Sequence, residues 1–185
     1  GKARSTWTLD LLADVAFADR FTLPDRLGTI LTVDRSATPF DRQLAQMAQN
    51  KVFYEGNAEA AQRPIDLGGK IGLAGYALSR TGREVTLTTY WRVTDQLPPQ
   101  VSQFTHVLND KDEIVTQADR LMVTSQSLQA EDVVAQIHHL TLPEGAGTYR
   151  IAIGLYTQPD GKRLTVMDNG QPRGDRLFLE PVDVR

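Results

Sequence analysis

Glu84-Val-Thr-Leu-Thr-Thr-Tyr-Trp-Arg92 is the stretch whose reading decides the fold. Val85, Leu87, Thr89 and Trp91 share one parity; Thr86, Thr88, Tyr90 and Arg92 share the other. Successive side chains of an extended chain point to opposite sides, so β-branched and aromatic residues at period two predict a strand with one buried face. Thr148-Tyr-Arg-Ile-Ala-Ile-Gly-Leu-Tyr156 has the same form, with Tyr149, Ile151, Ile153 and Leu155 inward. Two strands that each bury one face require a facing sheet.

The segments around them supply it. Ile71 to Leu78, Val101 to Leu108, Glu113 to Gln117, Val133 to Leu142, Arg163 to Met167 and Leu177 to Val184 read as further short strands. Turn residues separate them, among them Arg80-Thr-Gly-Arg83, Asn109-Asp-Lys-Asp112 and Pro159-Asp-Gly161. Toward the N-terminus the pattern changes. Residues 5 to 35 read as short strands, and residues 39 to 53 as one helix. Thr38 is its N-cap, Pro39 its first residue, and Phe40, Leu44, Met47 and Ala48 its apolar stripe. The expected fold is therefore mainly β: an antiparallel β-sandwich, jelly-roll or immunoglobulin-like, with one amphipathic helix in an N-terminal extension. The extension spans residues 1–64 and the sandwich 65–185.

Bulk composition narrows the function classes. At 185 residues, 41% of them hydrophobic, the chain can bury one sizeable core. Its net charge of −3, with no basic run, argues against nucleic acid as a partner. No uninterrupted apolar run approaches the ~20 residues that span a bilayer, so direct membrane insertion of this stretch is not expected. The absence of cysteine removes disulfides, thiolate metal sites and a thiol nucleophile.

The chemistry-bearing motifs are sparse. His138 and His139 are adjacent in an extended segment and must point to opposite faces, which disfavours a shared metal. His106 has the parity of Phe104 and Leu108 and is expected on the apolar face as a hydrogen-bonded histidine. The oxygens of Asn109-Asp-Lys-Asp-Glu113 fail the calcium-loop pattern, which needs glycine at its sixth position. Gly68-Gly-Lys-Ile-Gly72 lacks the Gly-Lys-Ser/Thr of a phosphate loop, and no Gly-x-Ser-x-Gly elbow occurs. No catalytic residue, metal or cofactor is assigned. Trp91 and Tyr149 read as core. Tyr90 and Tyr156 have the opposite parity to their inward neighbours and are candidate sugar-stacking residues, with Gln117 and Asp119 as polar partners on a separate strand. Coverage of both tyrosines by the helix is the competing reading.

Taken together, several motifs form a recognisable succession. Asp66-Leu-Gly-Gly-Lys-Ile-Gly-Leu-Ala-Gly-Tyr76, Leu87-Thr-Thr-Tyr-Trp91 and Phe104-Thr-His-Val-Leu-Asn109 come first. Ile114-Val-Thr-Gln-Ala-Asp119, Leu142-Pro-Glu-Gly-Ala-Gly-Thr-Tyr149, Ile153-Gly-Leu-Tyr156 and Asp175-Arg-Leu-Phe-Leu179 follow. This order resembles the C-terminal extracytoplasmic β-sandwich of bacterial multi-spanning membrane glycosyltransferases of the protein-mannosyltransferase kind, over about residues 65–185. The resemblance implies a noncatalytic accessory domain on the extracytoplasmic face of a bacterial membrane, with the sugar-transfer chemistry elsewhere in the parent protein. Its expected partners are glycan, or an acceptor it positions, and the membrane-embedded remainder of its own chain. The alternative is a structural or protein-interaction sandwich with no small-molecule ligand; a stand-alone enzyme ranks third.

Overall fold

The computed structural model describes residues 20–22, 30–32, 50–121 and 124–184. The early strands are β1 (Arg20–Thr22), β2 (Ile30–Thr32), β3 (Val52–Tyr54) and β4 (Ile65–Leu67). The long ones are β5 (Ile71–Thr81), β6 (Glu84–Val93), β7 (Val101–Leu108), β9 (Val133–Thr141) and β10 (Gly147–Thr157), with the short β8 (Ile114–Gln117) after β7. β11 (Val166–Asp168), β12 (Gln171–Pro172), β13 (Leu177–Leu179) and β14 (Val182–Val184) close the chain. One sheet runs β12-β11-β4-β5-β6-β9-β1-β2; the other runs β3-β13-β10-β7-β8, with β14 on β10. Every pairing is antiparallel except β1 with β9. This is the expected mainly-β sandwich.

The core follows from the parity of β6 and β10. Val85, Leu87, Trp91 and Val93 of β6 meet Tyr149, Ile151, Ile153 and Leu155 of β10 in one hydrophobic cluster, and Trp91 is 0% exposed. β6 is flanked by β5 and β9 along nearly its whole length, which is why it carries so much of the core. Gly82, at φ +60°, makes the tight β5–β6 turn possible without strain.

Two expectations are corrected by the packing. The end of the expected helix is strand: Val52, Phe53 and Tyr54 pair with Leu179, Phe178 and Leu177 of β13. Val52 and Tyr54 enter the core while Phe53 faces the other way, so the alternation of this segment is used against a partner strand rather than along a helical stripe. Residues 39–49 of that expected helix lie outside the described residues. β3 also precedes residue 65, so the sandwich takes in part of the stretch assigned to the extension.

The second correction concerns β7. Val101, Gln103, Thr105 and Val107 face the inter-sheet core, whereas Phe104, His106 and Leu108 lie on the outer side. The more apolar parity is thus the outward one. The inward polar groups are tolerated because they are satisfied. Gln103 Oε1 accepts from Trp91 Nε1 at 2.7 Å and from Thr89 Oγ1 at 2.8 Å, and Gln103 Nε2 donates to Thr105 Oγ1 at 3.1 Å. Since Thr89 and Trp91 belong to one sheet and Gln103 to the other, this network ties the two sheets together at one register.

Candidate functional site

The candidate site is the outer face of the β3-β13-β10-β7-β8 sheet. Cross-strand register assembles it. Phe53, Phe178, Ala152, His106 and Gln117 are successive partners in a row across five strands. Gly154 pairs with Phe104 in the next row, and Tyr156 with Ser102 beyond it. Past Gln117 the ladder continues, since Ala118 N donates to Thr105 O and Arg120 N to Gln103 O. That continuation keeps Asp119 on the side of Gln117 and His106, where Asp119 Oδ1 lies 3.4 Å from His106 Nε2.

The face has two layers. Beneath are aromatic rings. Phe104 lies across Gly154, where an added Cβ would meet the Phe104 ring and sit 2.9 Å from Asp175 O, so glycine is required there. The Phe104 and His106 rings are 4.9 Å apart between centroids. Above them lie guanidinium groups: Arg163 is 4.4 Å over Phe104, and Arg150 and Arg176 are each 5.1 Å from the Phe178 centroid. Such stacking is worth ~0.5–1 kcal/mol per contact at exposed sites and holds the guanidinium planes in place. Each arginine is also paired: Arg150 with Asp112, Arg163 with Asp175 at 3.0 Å, and Arg176 with Glu55. These pairs are substantially exposed, so their worth to stability is small. Their effect is to fix planar donors and acceptors facing solvent.

Burial lowers the His106 pKa below the ordinary histidine value, and this outweighs the opposing attraction of Asp119. Ser102, the hydroxyl on the same side of β7, is four positions from His106, ~13 Å along a strand. It instead accepts from Gln158 Nε2 at 3.1 Å. The arrangement can bind through hydrogen bonds, and Ser102 is too far from His106 to serve as a nucleophile activated by it.

Of the four residues singled out in the sequence, the fold places three on this face: Tyr156, half-buried on β10, and the exposed Gln117 and Asp119. Tyr90 is separated from them. It pairs with Gly75 and Ala135 on the outside of the opposite sheet and is buried, so its ring is not available for stacking. His138 and His139 do point to opposite sides: His138 into the core beside Leu87, His139 outward to Thr86 Oγ1 at 3.2 Å. The Asn109–Glu113 loop is a hairpin turn in which Asn109 Oδ1 accepts from the backbone N–H of Lys111 and Glu113, both at 2.9 Å. Among the described residues no group of three or more histidine, aspartate or glutamate side chains is placed to hold a metal ion.

The sequence reading missed the arginine layer. Arg150 could have been found from its parity opposite Ile151, but Arg163 and Arg176 come from irregular segments, and only the folded loops bring them over the rings.

No family model and no curated protein matches the chain. Among solved structures, the crystal structure of the C-terminal domain of wzt is similar, with 11% sequence identity and a TM-score of 0.45, covering 66% of this chain and 82% of that one.

Proposed function

We propose that this chain is a noncatalytic accessory domain of a multi-spanning membrane glycosyltransferase, working at the extracytoplasmic face of a bacterial membrane. It binds glycan on the outer face of the β10 sheet and so positions an acceptor for the membrane-embedded part. The observation that carries this reading is that Tyr156, Gln117 and Asp119, from separate elements, share one extended surface furnished with paired guanidinium and carboxylate groups, with Tyr156 ~13 Å along the strands from the row of Gln117. Planar groups already held by stacking and ion pairing lose little freedom when they bind hydroxyls, and charge-assisted hydrogen bonds are the stronger kind. The phenylalanine rings are covered by guanidinium planes, so the contact is mainly polar, with Tyr156 the partly exposed ring. Such a surface gives weak affinity, around millimolar.

Equilibrium titration with mono- and oligosaccharides tests this reading. Saturable millimolar binding that Tyr156→Ala weakens at least severalfold, with the fold intact by circular dichroism, is the expected result. The second reading, a protein-interaction module, is favoured by Ile114 and Val115 on the edge strand β8, exposed at 49% and 37%. It takes the lead if no saccharide binds.

A further inference from the structure

We infer that the ligand of this face is an uncharged, hydroxyl-rich glycan chain, and that the face discriminates against acidic sugars. The inference rests on the glycan reading above and specifies its ligand class. It follows from how charge is arranged. Arg150, Arg163 and Arg176 are each engaged by a carboxylate, respectively Asp112, Asp175 and Glu55. None of these cations is left uncompensated to receive the carboxylate or sulfate of an acidic sugar. Asp119 stands outside these pairs: its Oδ1 lies 3.4 Å from His106 Nε2, and it adds a further carboxylate to the face with no arginine engaged to it among these three. An anionic ligand would have to displace a resident carboxylate and also approach Asp119. An uncharged hydroxyl can accept from a guanidinium N–H and donate to the paired carboxylate without separating the two. Discrimination thus comes from a repulsive element as well as an attractive one. The five-strand row from Phe53 to Gln117 spans ~19 Å, four inter-strand spacings, which suits an extended chain rather than a single sugar.

Titration of the 185-residue chain with neutral hexose trisaccharides and with uronic-acid trisaccharides of matched linkage, at pH 7 and low salt, tests this. The expected result is binding of a neutral trisaccharide with its uronic-acid counterpart at least tenfold weaker. Asp112→Asn should release Arg150 and bring the acidic ligand to within a fewfold of the neutral one. Asp119→Asn, which removes the charge and keeps the side chain's size, should narrow the gap as well, read as the ratio of the two affinities. Uronic-acid binding as tight as neutral binding in the unaltered protein overturns the selectivity while leaving the glycan reading in place. Absence of binding by either class overturns both.

Discussion

Trp91 shows how one residue couples packing to polarity. Its ring is fully buried between the sheets while its Nε1–H reaches Gln103 Oε1 at 2.7 Å. Truncating a buried tryptophan costs about 3–5 kcal/mol, whereas leaving a buried hydrogen-bond partner unmatched costs about 1–3 kcal/mol. Packing therefore outweighs the polar tie. Trp91→Ala is expected to lower the denaturation midpoint more than Gln103→Leu, with both destabilising, and equilibrium urea unfolding measures the order. His138 sets a second expectation. It is 1% exposed in the core, and burial lowers its pKa to about 4. The unfolded chain, with its histidine near 6.5, binds the proton more readily, so stability falls as pH drops from about 6.5 through about 4 and levels off below that. The shift corresponds to ~3 kcal/mol. His106 is shifted the same way by burial and adds a contribution of the same sign. Stability measured from pH 7 to pH 4 should decline, and His138→Leu should reduce the slope; an unchanged slope would show that His138 is not buried as described.

At the scale of elements, what was legible depended on whether one face of a strand was clearly apolar. β6 and β10 were read correctly in extent and in orientation, because Val85, Leu87 and Trp91, and Ile151, Ile153 and Leu155, leave no doubt about the inward side. β7 defeated the same rule. Both of its faces are covered, and the deciding feature, Gln103 bonded to Trp91 and Thr89, is a contact between residues 12 to 14 apart across the sandwich that no periodicity encodes. β3 was hidden for a related reason: three residues make too short a pattern, and their strand identity depends on β13, more than a hundred residues later. Gly154 links β10 to the candidate site. A methyl group there would collide with Phe104, which cannot retreat because Arg163 lies over it. Gly154→Ala is therefore expected to cost about 1–3 kcal/mol and to displace the Phe104 and Arg163 layer, read as lower thermal stability together with weakened saccharide binding.

For the whole molecule, the sequence carried the sandwich and much of its strand inventory, since turn residues and alternation recur throughout the later part of the chain. It carried the candidate site only in part. Tyr156, Gln117 and Asp119 were found, but their placement on one face depends on the β10–β7–β8 order, and Arg163 over Phe104 and Arg176 over Phe178 depend on segments with no pattern of their own. Tyr90, on the other sheet, had the same parity argument as Tyr156 and was separated from it by topology alone. The two sheets thus offer an internal comparison: one outer face with a layer of fixed polar pairs, the other carrying Thr86 and His139. The most direct measurement is an amide chemical-shift map of the protein titrated with a neutral oligosaccharide at tens of millimolar. The account predicts saturable shifts at Tyr156, Gln117, Asp119 and His106, with Thr86 and His139 unmoved. Shifts confined to the Thr86–His139 face, or none on either, would contradict it.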